Sequence, residues 1–238
     1  MAGAREAHGL ISKLLARGRQ VIASLPAPER TFDALPVPTR IGAFGDQAAL
    51  EDWLRSEKVT CIIDASHAFD ARIVRQTVHA ATRLDLRYLR VLRPEWTPGR
   101  QDRWSQFRSL RKAAEAVTRG ERVFCNTGRA NLDAFEDFQG QRLYIRQNHP
   151  TTDAPPFGFA RFVSGQPPYP QLQEEVLFRE LRITRLICRN VGGSASISKL
   201  LAARRLGLRV SMVARPDPPG HTPRVETVTE ALAWEADG

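Results

Sequence analysis

Cysteine is scarce in this sequence, and the three that occur are arranged in a way that excludes several kinds of site. Cys61, Cys125 and Cys188 form no Cys-x-x-Cys pair, and no His/Cys group has the spacing of a zinc site. Each lies within or at the end of an apolar, strand-like run, which is typical of a small buried side chain. We therefore predict no disulfide framework and no metal.

Long apolar runs are also absent. Every such run in the sequence is short compared with the ~20 consecutive apolar residues that a membrane helix requires. The first ten residues, MAGAREAHGL, lack the basic-then-apolar order of a signal peptide. We expect a cytoplasmic protein that has no membrane as a partner.

Lysine is the third shortage. It occurs only at positions 13, 58, 112 and 199, so arginine supplies nearly all of the 35 basic residues and most of the net charge of +9. The planar guanidinium group matches carboxylate and phosphate, which leaves nucleic acid, anionic lipid or a polyanionic small molecule as partners. The arginines are spread along the chain without a basic stripe or a nucleic-acid motif, so we expect no nucleic acid.

What the sequence does contain is an alternation of short apolar strands and helix-period segments. Hydrophobic content is 42%, as in a globular domain. The predicted strands are 20–25, 60–64, 87–92, 122–126, 142–146, 161–165, 185–190 and 209–214. The predicted helices are 5–17, 47–57, 70–84, 104–118, 129–137, 172–182, 195–206 and 223–235. Such an order predicts an α/β protein with mostly parallel sheets and helices on both faces.

The stretch RPEWTPGRQDRW, residues 93–104, contains two prolines and a glycine and interrupts the alternation. We interpret it as a connector between two Rossmann-like domains, 1–98 and 99–238, with a cleft between them. The amino-terminal domain lacks an evident first strand, because only Met1 precedes the turn before the helix that begins near Arg5. Another segment must fill that place, or the chain must start further upstream. We expect a monomer.

Ligands of open parallel sheets bind beyond the carboxyl ends of the strands, and four such places carry glycine or polar residues. They are AGAREA (2–7), DASHAF (64–69), NTGRANL (126–132) and RNVGGSAS (189–196). Glycine lets a ligand approach the backbone, and a basic residue or lysine nearby can hold an anion. Taken singly, each is equally compatible with an ordinary tight turn and a solvated charge. The strand at 20–25 has no acidic residue at its end for a ribose, and Arg30 is a loose candidate for a 2′-phosphate contact.

Taken together, these motifs resemble one family, the precorrin-6A reductases of the corrin pathway. RNVGGSASISKLLAARRLGLRVSMVARP resembles the family's Lys-Asn-Ser-Gly-Gly segment, the helix after it and its closing Arg-Pro. IIDASHAFDARI resembles the Asp-Ala-Thr-His-Pro-Phe-Ala stretch, LRVLRPEW the Leu-Arg-x-x-Arg-Pro-x-Trp motif, and VFCNTGRANLDAF the Gly-Arg motif. The amino terminus departs most, since AGAREA keeps Gly3, Glu6 and Ala7 but not the family's Gly-Gly-Thr or its strand.

The resemblance implies an NADPH-dependent enzyme that reduces the C18=C19 double bond of precorrin-6A, a polyanionic tetrapyrrole, to give precorrin-6B. It implies that NADPH is the cofactor. We predict that its binding residues are Gly3, Arg5, Glu6, Arg30, Ser66 and His67; which loop holds NADPH and which holds the tetrapyrrole stays open. His67 is also the candidate catalytic residue. The implied substrate-binding residues are Phe69, Thr127, Gly128, Arg129, Arg189, Asn190, Gly192, Gly193, Ser194 and Lys199.

Three alternatives remain open at this point. The same reduction on cobalt-precorrin-6A leaves no trace in the sequence, because the metal belongs to the substrate. A non-catalytic tetrapyrrole-binding protein that has lost its NADPH loop would keep the second half of the motifs. A basic nucleic-acid binder predicts DNA affinity that falls steeply with salt.

Overall fold

A computed structural model describes residues 1–27, 34–148, 152–220 and 222–237. The α-helices in chain order are α1 (Glu6–Ala16), α2 (Gln47–Ser56), α3 (Ala71–Arg83), α4 (Leu110–Glu115), α5 (Gln171–Glu180), α6 (Ser198–Arg205) and α7 (Val228–Ala236). The strands are β1 (Ala23–Leu25), β2 (Thr39–Ile41), β3 (Cys61–Asp64), β4 (Arg87–Val91), β5 (Arg103–Phe107), β6 (Arg122–Cys125), β7 (Arg142–Gln147), β8 (Ala160–Ser164), β9 (Arg185–Arg189), β10 (Arg209–Val213) and β11 (Arg224–Val225).

The chain divides into two compact units. Unit 1 consists of Met1–Pro94 together with Pro216–Gly238, and unit 2 is Glu95–Arg215. This division differs from the predicted domains 1–98 and 99–238, because the last part of the chain folds with the first. Within unit 1, β11 pairs with β4, and α7 packs against α1. The predicted cleft stays a prediction.

Unit 2 contains one continuous sheet. Its six strands lie in the order β5-β10-β9-β6-β7-β8, and every neighbouring pair is parallel. The central strands are buried on both faces, as helix-covered parallel sheets require. Phe124, Phe178, Leu186 and Leu200 are among the fully buried side chains of its core. The α/β class with parallel sheets is confirmed.

Unit 1 contains two shorter parallel sheets, β1-β2 and β11-β4-β3. The amino-terminal residues lie between them and bond to both. Ala2 N–H donates to Ser24 O at 2.9 Å, the Met1 amino group donates to Ile63 O at 2.9 Å, and Ala65 N–H donates to Met1 O at 2.9 Å. Met1 and Ala2 thus lie where the carboxyl end of the strand that the sequence analysis did not find would lie.

Three predicted helices are wrong in part. Residues 103–107 form strand β5, because the whole segment pairs with β10 and because Ser109 caps α4 by accepting a bond from Lys112 N–H. Residues 224–225 form β11, and Thr227 and Glu230 then start α7 with a capping box. The segment 129–137 contains a 3₁₀ helix, Arg129–Phe135, that is interrupted at Asn131. Strand β2 was not predicted at all.

Candidate functional site

In unit 1 the amino-terminal turn lies against the loop that follows β3. Ala4 N–H donates to Ala65 O at 2.9 Å, and Gly3 has a φ of +140°. A Cβ atom added to Gly3 would lie 3.6 Å from the backbone nitrogen of His67. The structure therefore brings Gly3, Ser66 and His67 together, as the prediction of a shared site requires.

Ser66 is the most informative residue of this loop. It is only 2% exposed, and its backbone N–H donates to Asp64 Oδ1 at 2.9 Å. Its hydroxyl oxygen is buried and has no hydrogen-bond partner. Because a buried polar group without a partner costs free energy, such a group at the end of a strand is fitted to a ligand that supplies the bond.

Asp64 stabilises the loop through its bond with Ser66 N–H, and it was not among the predicted site residues. Its carboxylate is fully buried, accepts a bond from the Tyr88 hydroxyl at 2.7 Å and lies 3.8 Å from Arg90. Burial, followed by the charge of Asp64, raises the pKa of Tyr88 far above its ordinary value, so the phenol stays a donor. An acidic residue inside an apolar strand run was the signal for this network.

The imidazole of His67 has a defined donor side. Phe69 N–H donates to His67 Nδ1 at 3.3 Å, and the two rings lie 6.0 Å apart. Since Nδ1 accepts a bond, the proton of the neutral ring is assigned to Nε2. In this form, His67 can therefore donate a hydrogen bond from Nε2.

Glu6 and Arg5 stand at the start of α1. Arg93 Nε lies 3.3 Å from Glu6 Oε1, and both side chains are largely buried. This ion pair offsets the negative charge that Glu6 would otherwise present to a phosphate. Arg5 is exposed at the amino-terminal cap position. Arg30, the candidate for the 2′-phosphate, lies outside the described residues.

In unit 2 the two predicted glycine turns are neighbours, because β6 and β9 pair side by side with Cys125 opposite Ile187. Their backbones are nearly the same. Gly128 has φ +74° and ψ −177°, and Gly193 has φ +75° and ψ 170°, a region open essentially to glycine alone. Each glycine immediately precedes a 3₁₀ helix, Arg129–Phe135 or Ser194–Ser196. Gly192 also has a positive φ, +67°.

Asn190 was predicted to bind substrate, which stays a prediction, and the structure shows that its side chain makes hydrogen bonds within the protein. It is 1% exposed, and its Oδ1 accepts a bond from Trp96 N–H at 2.9 Å. Its Nδ2 donates to Trp96 O at 3.0 Å and to Glu95 Oε2 at 3.2 Å. Trp96 Nε1 in turn donates to Gly193 O at 2.8 Å. Because both amide protons are engaged, we assign Asn190 to positioning the glycine turn.

Lys199 makes contacts within the protein, and its predicted substrate-binding role stays a prediction. Its side chain is buried, its ammonium group donates to Ser196 O, and Nζ lies 5.0 Å from the centre of the Trp96 ring. The predicted helix began at residue 195, whereas α6 begins at Ser198. Lys199 is therefore in the first turn of α6, next to the glycine turn. We therefore assign it to support of the Asn190–Ser194 segment. Ser194 itself is exposed.

The turn after β6 carries the basic and hydroxyl groups that were predicted there. Arg129 is about half exposed, pairs with Asp153 at 2.6 Å and lies 6.0 Å from the centre of the Phe162 ring. Thr127 Oγ1 lies 3.1 Å from Cys125 Sγ. Burial raises the pKa of the Cys125 thiol, and its bonds with Thr127 and the charge of Arg189 only partly oppose this.

Asn126 is the first residue of the NTGRANL motif, but it was not among the predicted site residues. It directly follows β6, and its Oδ1 atom is buried without a hydrogen-bond partner. A polar side chain at the end of a buried strand was the available signal. Trp96 and Glu95, which hold Asn190, lie in the segment that was interpreted as a connector.

Two kinds of feature are absent from the described residues. They contain no group of three or more His, Cys, Asp or Glu side chains that could hold a metal ion. In the same part of the chain, no helix combines the length and apolar character needed to cross a membrane.

Parallel sheets whose carboxyl edges carry glycine turns define an α/β protein of the Rossmann type. Comparison with known proteins identifies the family more closely. The family model described as "Precorrin-6x reductase CbiJ/CobK" matches residues 1–236. The chain belongs to this family, and it is an oxidoreductase. The resemblance noted from the motifs is confirmed.

Individual relatives match over nearly their whole length. The chain is 37% identical to the "Precorrin-6A reductase" of Rhodococcus erythropolis over 98% of this chain and 95% of that protein. It is 34% identical to the protein of the same name from Sinorhizobium sp, over 98% of this chain and 89% of that protein. The solved structure titled "CobK precorrin-6A reductase" superposes with a TM-score of 0.90 at 32% identity, covering 99% of this chain and 94% of that one.

Proposed function

We propose that the protein catalyses the NADPH-dependent reduction of precorrin-6A at its C18=C19 double bond, which gives precorrin-6B in cobalamin biosynthesis. The observation that carries this proposal is the family match across residues 1–236, together with five relatives named precorrin-6A reductase at 32–37% identity. In the reaction, a hydride adds to one carbon of the double bond and a proton adds to its neighbour.

The amino-terminal turn and the loop after β3 fit the nicotinamide nucleotide. Ser66 offers a buried hydroxyl that lacks a partner, and Gly3 leaves room beside the backbone of His67. Arg5 is exposed at the start of α1, where unpaired N–H groups favour a phosphate. NADPH, when bound, supplies the hydride. The residues of the chain position the reacting groups and exclude water.

The two glycine turns of unit 2 suit a substrate with several acetate and propionate groups. Gly128 and Gly193 leave their backbones open to close approach, and Arg129 and Arg189 bring positive charge to the ends of the same two strands. Guanidinium groups bind carboxylates bidentately. Thr127, Ser194 and the Oδ1 of Asn126 add hydrogen-bonding groups at this edge.

No nucleophile is needed for such a reaction, only a source of the proton. We assign His67 as the candidate donor: when Nδ1 takes up a proton in place of the bond from Phe69 N–H, the resulting imidazolium can give its Nε2 proton to the substrate carbon and return to the neutral ring. The buried thiols are unsuited to nucleophilic chemistry, because burial raises the pKa of Cys125 and raises that of Cys188 to about 12. Phe69 borders His67 and contributes an apolar ring surface.

The cobalt-containing substrate is the nearest alternative, and the sequence identities to the two groups of relatives argue against it. Relatives named "Cobalt-precorrin-6A reductase" are 22–25% identical to this chain, whereas those named for the metal-free substrate are 32–37% identical. Competition between the two substrates for the same enzyme measures the preference directly. We expect a larger kcat/KM with precorrin-6A.

NADPH titration tests the nucleotide site and separates the enzyme from a tetrapyrrole-binding relic. We expect the fluorescence of NADPH to change on binding and Gly3→Ala to weaken that binding about tenfold, the equivalent of 1.4 kcal/mol. Gly18→Ala is the matched control. Gly18 also has a positive φ, +73°, and lies after the carboxyl end of α1 with no atom near its missing Cβ. Equal NADPH affinity in both variants, or none in the wild type, would refute the assignment.

A further inference from the structure

The fold of unit 2 collects arginines that are spread along the sequence at one edge of its sheet. Every strand of this sheet begins at an arginine except β8, where arginine is the second residue. We call this row the arginine edge and define it as Arg103, Arg122, Arg142, Arg161, Arg185 and Arg209. Because all six strands are parallel, the row lies at the amino-terminal edge, one strand length or ~16 Å from the glycine turns at the carboxyl edge.

The register of the strands places like charges side by side in the arginine edge. Arg209 lies opposite Arg103 on one neighbouring strand and opposite Arg185 on the other. Like charges at opposite positions destabilise a sheet. Within the described residues the row pairs with one carboxylate, that of Glu121, which lies 3.0 Å from Arg185 and 3.4 Å from Arg209. One carboxylate against six guanidinium groups leaves a large surplus of positive charge at this edge.

Backbone carbonyls hold several of these guanidinium groups in place without neutralising them. Arg103 donates to Gly207 O at 3.1 Å, Arg142 donates to Gly158 O at 3.0 Å, and Arg161 donates to Gly158 O at 3.3 Å. A guanidinium group has five N–H donors, so each of the three keeps donors for a further acceptor. Because a side chain that is ordered in advance loses less entropy on binding, these groups are preorganised for an anion.

The size of the arginine edge indicates an extended anion. Gly207 and Gly158 lie two positions before β10 and β8, so the guanidinium groups that they anchor are at the edge itself and not on one face of the sheet. Arg103 on β5 and Arg161 on β8 are both exposed, and these strands are the first and last of the sheet. Six strands spaced ~4.8 Å apart cover about 24 Å, which matches about seven residues of extended polypeptide.

We propose that the arginine edge docks an acidic segment of a partner protein, at a site separate from the one that binds the tetrapyrrole. Guanidinium groups bind carboxylates bidentately and need no further chemistry from the surface. Single-stranded nucleic acid, in contrast, adds base stacking on aromatic rings to its charge contacts. The rings that flank Gly158, Phe157 and Phe159, stack on each other at 5.0 Å, and Phe159 also stacks on Phe138 at 5.0 Å. The surroundings of the edge therefore favour carboxylates.

Two variants of equal net charge test the proposal, with a fluorescein-labelled, amidated octaglutamate peptide as the probe. The edge variant combines Arg103→Gln, Arg161→Gln and Arg209→Gln. The control variant alters three exposed arginines on helices that pair with carboxylates, and it combines Arg55→Gln, Arg83→Gln and Arg111→Gln. From fluorescence anisotropy at low salt we expect the edge variant to bind the peptide about tenfold more weakly than the wild type and the control variant less than about twofold more weakly. Both variants should reduce precorrin-6A at the wild-type rate, which also shows that they fold.

Two further measurements test the location of the site and the class of partner. Saturating precorrin-6A should leave peptide binding unchanged, because the glycine turns lie at the opposite edge of the sheet. A labelled oligothymidylate with the same number of negative charges should bind more weakly than the peptide. No binding of the peptide to the wild type, equal weakening in the two variants, or displacement of the peptide by precorrin-6A would overturn the proposal. Tighter binding of the oligothymidylate would overturn it in favour of a nucleic-acid partner.

Discussion

The two units of this protein carry their predicted ligand-binding turns on sheets that differ in the number of strands. In unit 2 the strands that carry the turns, β6 and β9, lie in the middle of six continuous parallel strands. In unit 1 the corresponding turn depends on Met1 and Ala2, which bridge two separate sheets through a few hydrogen bonds. A complete sheet fixes its turns through many bonds, whereas the amino-terminal turn is held by few. We therefore expect unit 2 to tolerate more change before its site is lost.

The largest effect is expected from the glycine pair of unit 2. Replacing both Gly192 and Gly193 by valine forces side chains into positive-φ backbone, at about 1–3 kcal/mol for each residue, and fills the space next to the ligand. We expect precorrin-6A binding to fall by a factor of about 100 or more, the equivalent of ~2.8 kcal/mol, as measured by quenching of protein fluorescence.

Gly207→Val is the matched control for this pair. Gly207 also has a positive φ, +65°, but it precedes β10 and so lies at the opposite edge of the same sheet. It should lower the Tm and leave precorrin-6A binding unchanged. Wild-type affinity in the Gly192/Gly193 variant would refute the assignment of this turn.

The second effect contrasts two asparagines at the ends of neighbouring strands. Asn190→Ala removes three side-chain bonds and leaves Trp96 N–H buried, which should cost about 1–3 kcal/mol of unfolding free energy in urea. Asn126→Ala removes an oxygen that has no partner, so stability should hardly change while precorrin-6A binding weakens. The reverse pattern would show that Asn126 is the structural residue of the two.

A smaller effect is expected at Ser66. Because its hydroxyl makes no bond within the protein, Ser66→Ala should leave the Tm unchanged and weaken NADPH binding by about 0.5–1.5 kcal/mol. Ser211→Ala provides the contrast, since Ser211 is equally buried but accepts a bond from Arg185 at 2.8 Å. That variant should lose stability and keep its NADPH affinity. An unchanged NADPH affinity in Ser66→Ala would remove this residue from the nucleotide site.

The smallest effect is the pH dependence that Glu121 contributes in unit 2. Burial alone would raise the pKa of Glu121, but bonds from Thr118 N–H and Arg185 hold it below its ordinary value of 4.5. A depressed pKa in the folded state stabilises the protein above pH 4.5, and this contribution is lost as the pH falls below that value. Glu121→Gln should flatten the fall in Tm between neutral and acidic pH. An equally steep fall in the variant would assign the effect to other carboxylates.

The class of fold and most of the candidate site could be predicted from the sequence because both depend on local signals. Apolar strands of the parallel type and glycine at strand ends are local signals, and Gly128 and Gly193 occupy backbone regions that only glycine adopts. The rule that ligands bind beyond the carboxyl ends of strands selected both turns, but only the pairing of the two strands shows that β6 and β9 are neighbours.

What the sequence could not predict depends on distant partners. The residues of β5 were predicted as part of a helix, and only their pairing with β10 makes them a strand. Strand β11 is two residues long and forms only because it pairs with β4. Asn190 and Lys199 look like ligand groups because nothing local shows that Trp96, 94 residues away from Asn190, engages them. The return of residues 216–238 to unit 1 likewise rests on long-range packing of α7 against α1.

The most direct test of the whole account follows the transferred hydrogen. The wild-type enzyme is incubated anaerobically with precorrin-6A and NADPH that carries deuterium at the transferring position of the nicotinamide. We predict that NADPH is consumed mole for mole and that the product gains two hydrogens, with the deuterium on C18 or C19. An unlabelled product, or unconsumed NADPH beside unchanged precorrin-6A, would contradict the account.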